Sequence, residues 1–286
     1  MFEAEIPAGV KAPNPSARIW RYLSFPRFKQ LLEEKTLYFS RIDQFSDFNE
    51  GRISGASSSA SHEELAEQGD DGHVANAHDF MLRLMSTHTS YAVCWNESMH
   101  ETNLMWRAYG QIPNETPDDQ SFKIAISTTA ERLLLSIDGS RRRQNDKMYK
   151  GMVNYLDFDK DPTPNNAVEK CFVKRLEYAS ENELRLIINR VGNLPSGTLA
   201  SMPQADLGVV LPVKITDLID AIYIEPVAID QVQLGTSGTS GQDQSYAVEI
   251  SSIMEKRISL VTDLVSAEME HAEGVLSGGV QVSNVL

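Results

Sequence analysis

Apolar and polar positions alternate, or recur at helical spacing, in short blocks along the whole chain. Arg18-Ile-Trp-Arg-Tyr-Leu-Ser24 is aromatic and β-branched and reads as a strand. Ser24 then supplies a cap and Pro26 an early helical proline, and Phe28, Leu31 and Leu32 share one face of a helix through Lys35. Thr36 to Arg41 is a second strand, so the chain opens β–α–β and leaves through a polar turn, Asp43 to Gly51. Helical spacing returns at 78–87, 101–109, 130–137, 166–175 and 217–220. Strand patterns occupy 90–95, 122–127, 151–157, 183–188, 208–215 and 221–224. This order predicts an α+β protein with a mixed or antiparallel split sheet, flanking helices and a C-terminal helical tail.

The same pattern divides the chain. Residues 1–16 carry three prolines and no apolar run, and read as a mobile arm. The main domain is expected over 17–233, interrupted by a Ser-, Glu- and Gly-rich solvated insertion at 54–72 with a short helix at Glu63 to Gln68. A Gly/Ser-rich linker follows at 234–245. In the tail, 246–286, Ile250, Ile253, Ile258, Val261, Leu264 and Val265 repeat near 3.6 residues. The stripe over 246–273 either packs on the main domain or meets a protein partner or a second copy.

Charge narrows the field. The 286 residues carry a net charge of −14, which opposes non-specific binding to nucleic acid or an anionic membrane. No apolar run reaches the ~18 residues of a membrane span. The N-terminus has no secretory apolar stretch. Cys94 and Cys171, the two cysteines, are expected as reduced core thiols of a cytoplasmic protein. The six histidines are scattered without metal-ligand spacing, and no zincin, nucleophile-elbow or phosphate-loop motif occurs. Arg141-Arg-Arg143 reads as a solvated loop, with phosphate contact as the alternative.

Two places concentrate chemistry. Strand period two aims Arg21 away from Trp20 and Tyr22, and aims Glu181 and Glu183 the same way. Two carboxylates on one face repel unless a cation or a ligand hydroxyl offsets them. That offset is either a ligand or an ion-paired sheet edge using Lys174, Arg175 and Arg185. The second place is Phe45-Ser-Asp-Phe-Asn-Glu-Gly51. It reads as an Asx-type turn with Gly51 at positive φ, or as a source of active carboxylates, Asp47 and Glu50, for a hydrolase or nuclease.

Trp20-Arg-Tyr22, Leu37-Tyr-Phe-Ser-Arg41, Phe45-Ser-Asp-Phe-Asn-Glu-Gly51, Cys94-Trp95 and Met105-Trp-Arg-Ala-Tyr-Gly110 occur in that order. Ile124-Ala-Ile-Ser-Thr-Thr129, Lys174-Arg175, Glu181-Asn-Glu-Leu-Arg185 and Ile222-Tyr-Ile-Glu-Pro226 continue the series. Together they resemble the bacterial family known as domain of unknown function 2971, over about residues 19–230. More distantly, the order of Arg21, Ser40 or Tyr38, and Glu181-x-Glu183 resembles ADP-ribosyltransferases. That resemblance implies that Arg21 contacts the ribose or phosphate of NAD and that Ser40 positions the nicotinamide ribose. It implies that Glu183 bonds the ribose 2′-hydroxyl and steadies a cationic transition state, while Glu181 orients or deprotonates the acceptor. Tyr38 and the rings of Trp95, Trp106 and Tyr109 would help to hold NAD.

The expected function is therefore an NAD-consuming ADP-ribosyltransferase-like enzyme, of the kind used as toxins or antiphage effectors, with a protein or nucleic-acid acceptor. One alternative is a metal-dependent nuclease or hydrolase centred on Asp47, Glu50 and Glu183. The other is a non-catalytic binding module acting through the C-terminal helix.

Overall fold

A computed structural model describes residues 4–59, 73–109, 122–141, 143, 145–190, 206–225, 242–269 and 279–282. Helices and a mostly antiparallel set of strands confirm the α+β class and the C-terminal helix. The chain forms two compact units that interleave in sequence. Unit 1 holds residues 1–17, 36–97 and 137–213, and unit 2 holds 18–35, 98–136 and 214–286.

Unit 2 contains β1 (Arg18–Ser24), α1 (Phe25–Glu34), α3 (Asn103–Ala108), β4 (Lys123–Thr129) and α4 (Ala130–Ser136). α6 (Ile215–Leu218), β10 (Ala221–Ile224), α7 (Gln242–Met269) and β11 (Gly279–Val282) complete it. β4 pairs antiparallel with β1 on one side and with β10 on the other, and β11 joins β10 in parallel. Alternation along β1 buries Trp20 and Tyr22 with Met105, Trp106 and Ala125, and leaves Arg21 half-buried on the opposite face. α7 packs on its own unit: Val261 is buried, and Arg257 donates to the Glu225 carbonyl at 3.1 Å while lying over the Phe122 ring.

Unit 1 is built on five antiparallel strands in the order β9, β2, β3, β8, β5. These are β2 (Thr36–Arg41), β3 (Ser90–Glu97), β5 (Lys147–Met152), β8 (Glu183–Asn189) and β9 (Gly208–Pro212). A separate parallel pair joins β6 (Asn154–Leu156) to β7 (Val173–Arg175). α2 (His73–His88) leads into β3, and α5 (Ala167–Lys170) precedes β7. One face of the sheet buries Ala92 and Ile187 against Ile42, Cys171 and Phe172.

Three expectations need correction. The segment 166–175, expected as one helix, is a single helical turn followed by β7, because the chain must turn back to pair with β6. The single strand expected at 151–157 is two, β5 and β6, divided at Val153, whose N–H bonds the Glu183 carbonyl. Residues 4–16 are held rather than free. Glu5 exchanges hydrogen bonds with Met148 and Lys150, and Lys11 accepts from Met152. Gly151 allows that approach, since a Cβ there would collide with Val10 and Phe172. Of the insertion, residues 55–59 are helical; the short helix expected at 63–68 and linker residues 234–241 lie outside the described residues.

Candidate functional site

Unit 1 buries a cluster of opposite charges beneath the turn 45–52. Its centre is Arg185 on β8, fully buried. Nε and Nη2 donate to the two oxygens of Glu183 at 2.6 and 3.0 Å. Nη1 and Nη2 donate to the two oxygens of Glu50, both at 2.8 Å. Nη1 also donates to the Cys171 carbonyl at 2.7 Å. A guanidinium has five N–H donors, and all five are used. Only such a planar fork satisfies two carboxylates edge-on at once.

Lys174 on β7 supplies the second cation. Nζ sits 2.5 Å from Glu181, 3.5 Å from Glu183 and 3.6 Å from Glu50, and 4.5 Å from the Tyr178 ring centroid. Three carboxylates thus face two cations, leaving one negative charge in excess. A further pair lies outside: Arg175 reaches Asp47 at 3.4 Å and stacks on Tyr178.

Backbone conformation brings these groups together. Leu176–Glu181 is a 3-10 turn, and Asn182 takes a left-handed conformation at φ 37°, which asparagine tolerates better than most residues. The Asn182 side chain donates to the Glu97 carbonyl at 2.8 Å, tying the turn to the end of β3. The Glu183 N–H donates to the Tyr155 hydroxyl at 2.9 Å. Glu181 and Glu183 do converge, on Lys174, but through this left-handed step rather than through strand alternation. The strand that carries Glu183 and Arg185 lies between β3 and β5, so the ion-paired reading applies to the interior of the sheet and not to its edge.

The 45–52 segment is both an Asx turn and part of the cluster. The Asn49 N–H donates to the Asp47 carboxylate at 3.0 Å, and the Glu50 N–H to the Asp47 carbonyl at 3.1 Å. Gly51 follows at φ 67° and accepts from the Ser86 hydroxyl at 2.9 Å. The turn swings Glu50 inward. A Cβ on Gly51 would lie 2.7 Å from the Thr87 methyl, besides the strain of its φ. Gly51→Ala is expected to lower stability by about 1–3 kcal/mol, read as a lowered urea midpoint with an unchanged slope.

Electrostatics follow burial and pairing. Burial pushes the Glu50 carboxyl above its ordinary range; Arg185 opposes this without overcoming it, and the Glu183 charge adds to it. Burial pushes Glu183 up as well, but Arg185, Lys174 and a hydrogen bond from the Cys94 thiol together hold it below the usual carboxylate range. Burial lowers Lys174, and the three glutamates more than compensate and raise it. Burial lifts the Cys94 thiol well above its usual range and Cys171 to about 12, so both are protonated free thiols at neutral pH.

The remaining sequence-derived residues fall elsewhere. Ser40 lies opposite Ala92 on β3, and Glu183 lies opposite Asn96, so both point to one face. Four residues along the strand and two strand spacings separate them by on the order of 16 Å, too far to grip one ribose. Tyr38, on the same face of β2 as Ser40, is 49% exposed. Trp95 occupies the opposite face of β3 from Cys94 and Asn96 and is 1% exposed, so its ring is enclosed by protein and offers no stacking surface. Arg21, Trp106 and Tyr109 belong to unit 2. Trp106 is buried there, bonded to Glu101 at 3.0 Å and edge-on to Tyr22. Arg143, of the triple arginine, lies 3.5 Å from Asp206.

Among the described residues, no three or more His, Cys, Asp and Glu are grouped to hold a metal ion, and none of their helices is long and apolar enough to cross a membrane. Arg185 and Lys174 fill the space between the glutamates. The signal that would have found Arg185 was present as Glu183-x-Arg185, two residues on one face of one strand. The 45–51 motif marked Glu50 as a candidate carboxylate, but nothing local pointed to its pairing with Arg185, 135 residues away. No family model, curated protein or solved structure matches the chain, so the family resemblance rests on its ordered motifs alone.

Proposed function

We propose that the protein is a nucleotide-directed group-transfer enzyme, with NAD as its donor, and that Glu181 rather than Glu183 is its acting carboxylate. The observation that carries this reading is the gradient of burial within the cluster. Arg185 consumes both oxygens of Glu50 and of Glu183, whereas Glu181, at the end of the 3-10 turn, is the least enclosed of the three glutamates. Around it stand Lys174, Tyr178 and Arg175, an arrangement of cations and an aromatic ring suited to an anionic ligand that carries a base.

In the reaction this supports, the bond between the nicotinamide nitrogen and ribose C1′ breaks. Nicotinamide leaves with the bonding electron pair, and the cationic sugar centre is met by a carboxylate. The acceptor oxygen, from water or a macromolecule, forms the new bond and passes its proton to Glu181. Arg185 and Glu183 act behind Glu181 by fixing Lys174 and the field around it.

Labelled NAD with and without cell lysate tests the reading. Nicotinamide release or label transfer is expected, falling about 10²–10³-fold in Glu181→Gln with the fold retained. If nothing is released or transferred, and NAD and AMP leave the melting temperature unmoved, the reading fails. Cleavage of nucleic acid that stops with EDTA would instead select the metal-dependent hydrolase.

A further inference from the structure

Unit 1 is rich in paired charges, and two of its arginines stand apart. Arg52 follows Gly51 at the end of the 45–52 turn, and its guanidinium lies 4.6 Å over the Phe48 ring. Its Nε is buried and has no hydrogen-bond partner. Arg83 is an exposed residue one turn before the end of α2. The Ser86 hydroxyl on the Gly51 carbonyl, and Thr87 packed under Gly51, fix Arg52 against that last turn. Among the described residues neither guanidinium has a carboxylate within salt-bridge reach. Asp47 bears on Arg52 electrostatically but is bonded to Arg175.

Burial pushes the Arg52 pKa down, and the Arg83 charge pushes it down further, with Asp47 opposing. Burial, then the Arg41 and Arg83 charges, hold His88 below its ordinary value, with Asp43 opposing. Arg83 lies three and four residues before Ser86 and Thr87, on the helix face that meets Gly51 and so beside Arg52. Two arginines there without acid partners among the described residues offer an anion a pair of cations in a chain of net charge −14. Phe48, 65% exposed beside Arg52, adds an aromatic face.

We propose that Arg52 and Arg83 form a phosphate-binding site, with the Phe48 ring stacking on a base carried by that phosphate. Arginine matches phosphate oxygens with paired donors, which the terminal nitrogens of Arg52 and of the exposed Arg83 supply. This deepens the nucleotide reading, on which only the identity of the phosphate-bearing group rests. The same turn that delivers Glu50 to the buried cluster presents Phe48 and Arg52 outward.

Titration calorimetry with inorganic phosphate, pyrophosphate, AMP and NAD tests the site on the full chain. All four are expected to bind, AMP more tightly than inorganic phosphate. Arg52→Gln and Arg83→Gln should each weaken binding about tenfold or more, and Phe48→Ala should erase the preference for AMP while sparing phosphate. Arg83 is exposed, so its variant reports on binding without disturbing the core. Glu181→Gln, which should cut turnover about 10²–10³-fold, is expected to leave phosphate binding unchanged. Phosphate binding without turnover would sink the catalytic reading and keep this site. Equal affinity in wild type, Arg52→Gln and Arg83→Gln, or no binding of any of the four at millimolar concentration, would overturn the site itself.

Discussion

Replacing Arg185 with methionine is expected to cost about 3–5 kcal/mol, a large part of the stability of an ordinary domain. The loss comes less from the hydrogen bonds removed than from what stays behind. Glu50 and Glu183 would keep their places in the core with Lys174 as the remaining cation, shared with Glu181. Arg185→Lys should recover little, because one ammonium cannot serve two carboxylates edge-on and the Cys171 carbonyl as well. Replacing Glu50, Glu183 and Arg185 together by methionine removes the charges in step and should restore most of the loss. Urea denaturation of the three variants checks the sequence of effects. An Arg185→Met protein within about 1 kcal/mol of wild type would mean that the buried carboxylates find relief elsewhere.

This dependence on Arg185 explains which parts of the protein were legible in the sequence. Elements whose burial is decided by their own residues were readable: β1 shows Trp20 and Tyr22 to the core and Arg21 away from it, and β10 matches its apolar run. Segment 166–175 misled because Ala167, Val168 and Cys171 suit a helix, while the pairing of Val173–Arg175 with β6 is set by residues outside the window. Residues 4–16 misled because prolines mask a backbone that still pairs with β5. The site divided along the same line. Glu181 and Glu183 were found because they are neighbours, and the 45–52 turn was found because Asp47, Asn49 and Gly51 are turn formers. The meeting of the two depends on a loop crossing to a distant strand, and no periodicity records that. The reading of the segment as an Asx turn holds, and the turn's geometry is what carries Glu50 inward, where Arg185 engages both of its oxygens.

The excess carboxylate should make stability peak on the mildly acid side of neutral. Glu50 has a raised folded-state pKa, so its protonated form is favoured by folding. Its contribution is complete below the unfolded value of about 4.5 and is lost as pH rises through the folded value. Acidifying from neutral therefore loads a proton onto the folded state first and stabilises it, by up to about 1.4 kcal/mol per pH unit for one proton. Glu183 behaves in the opposite sense: its pKa is depressed, so its contribution is present above about 4.5 and disappears as pH falls further. Acid should accordingly unfold the protein only after the Glu50 gain has been reached. On the alkaline side the buried Cys171 thiol keeps its proton to about 12, whereas the unfolded thiol loses it near 9, and stability should decline above that point. Denaturation midpoints between pH 3 and about 10 trace the curve. Glu50→Gln, which removes the proton-loading carboxyl, should flatten the limb between about 4.5 and neutral and leave the acid limb in place. A wild-type curve flat from pH 4.5 to 7 would mean that the cluster binds no extra proton, and that its third negative charge is balanced by a cation recruited from solvent or from a ligand.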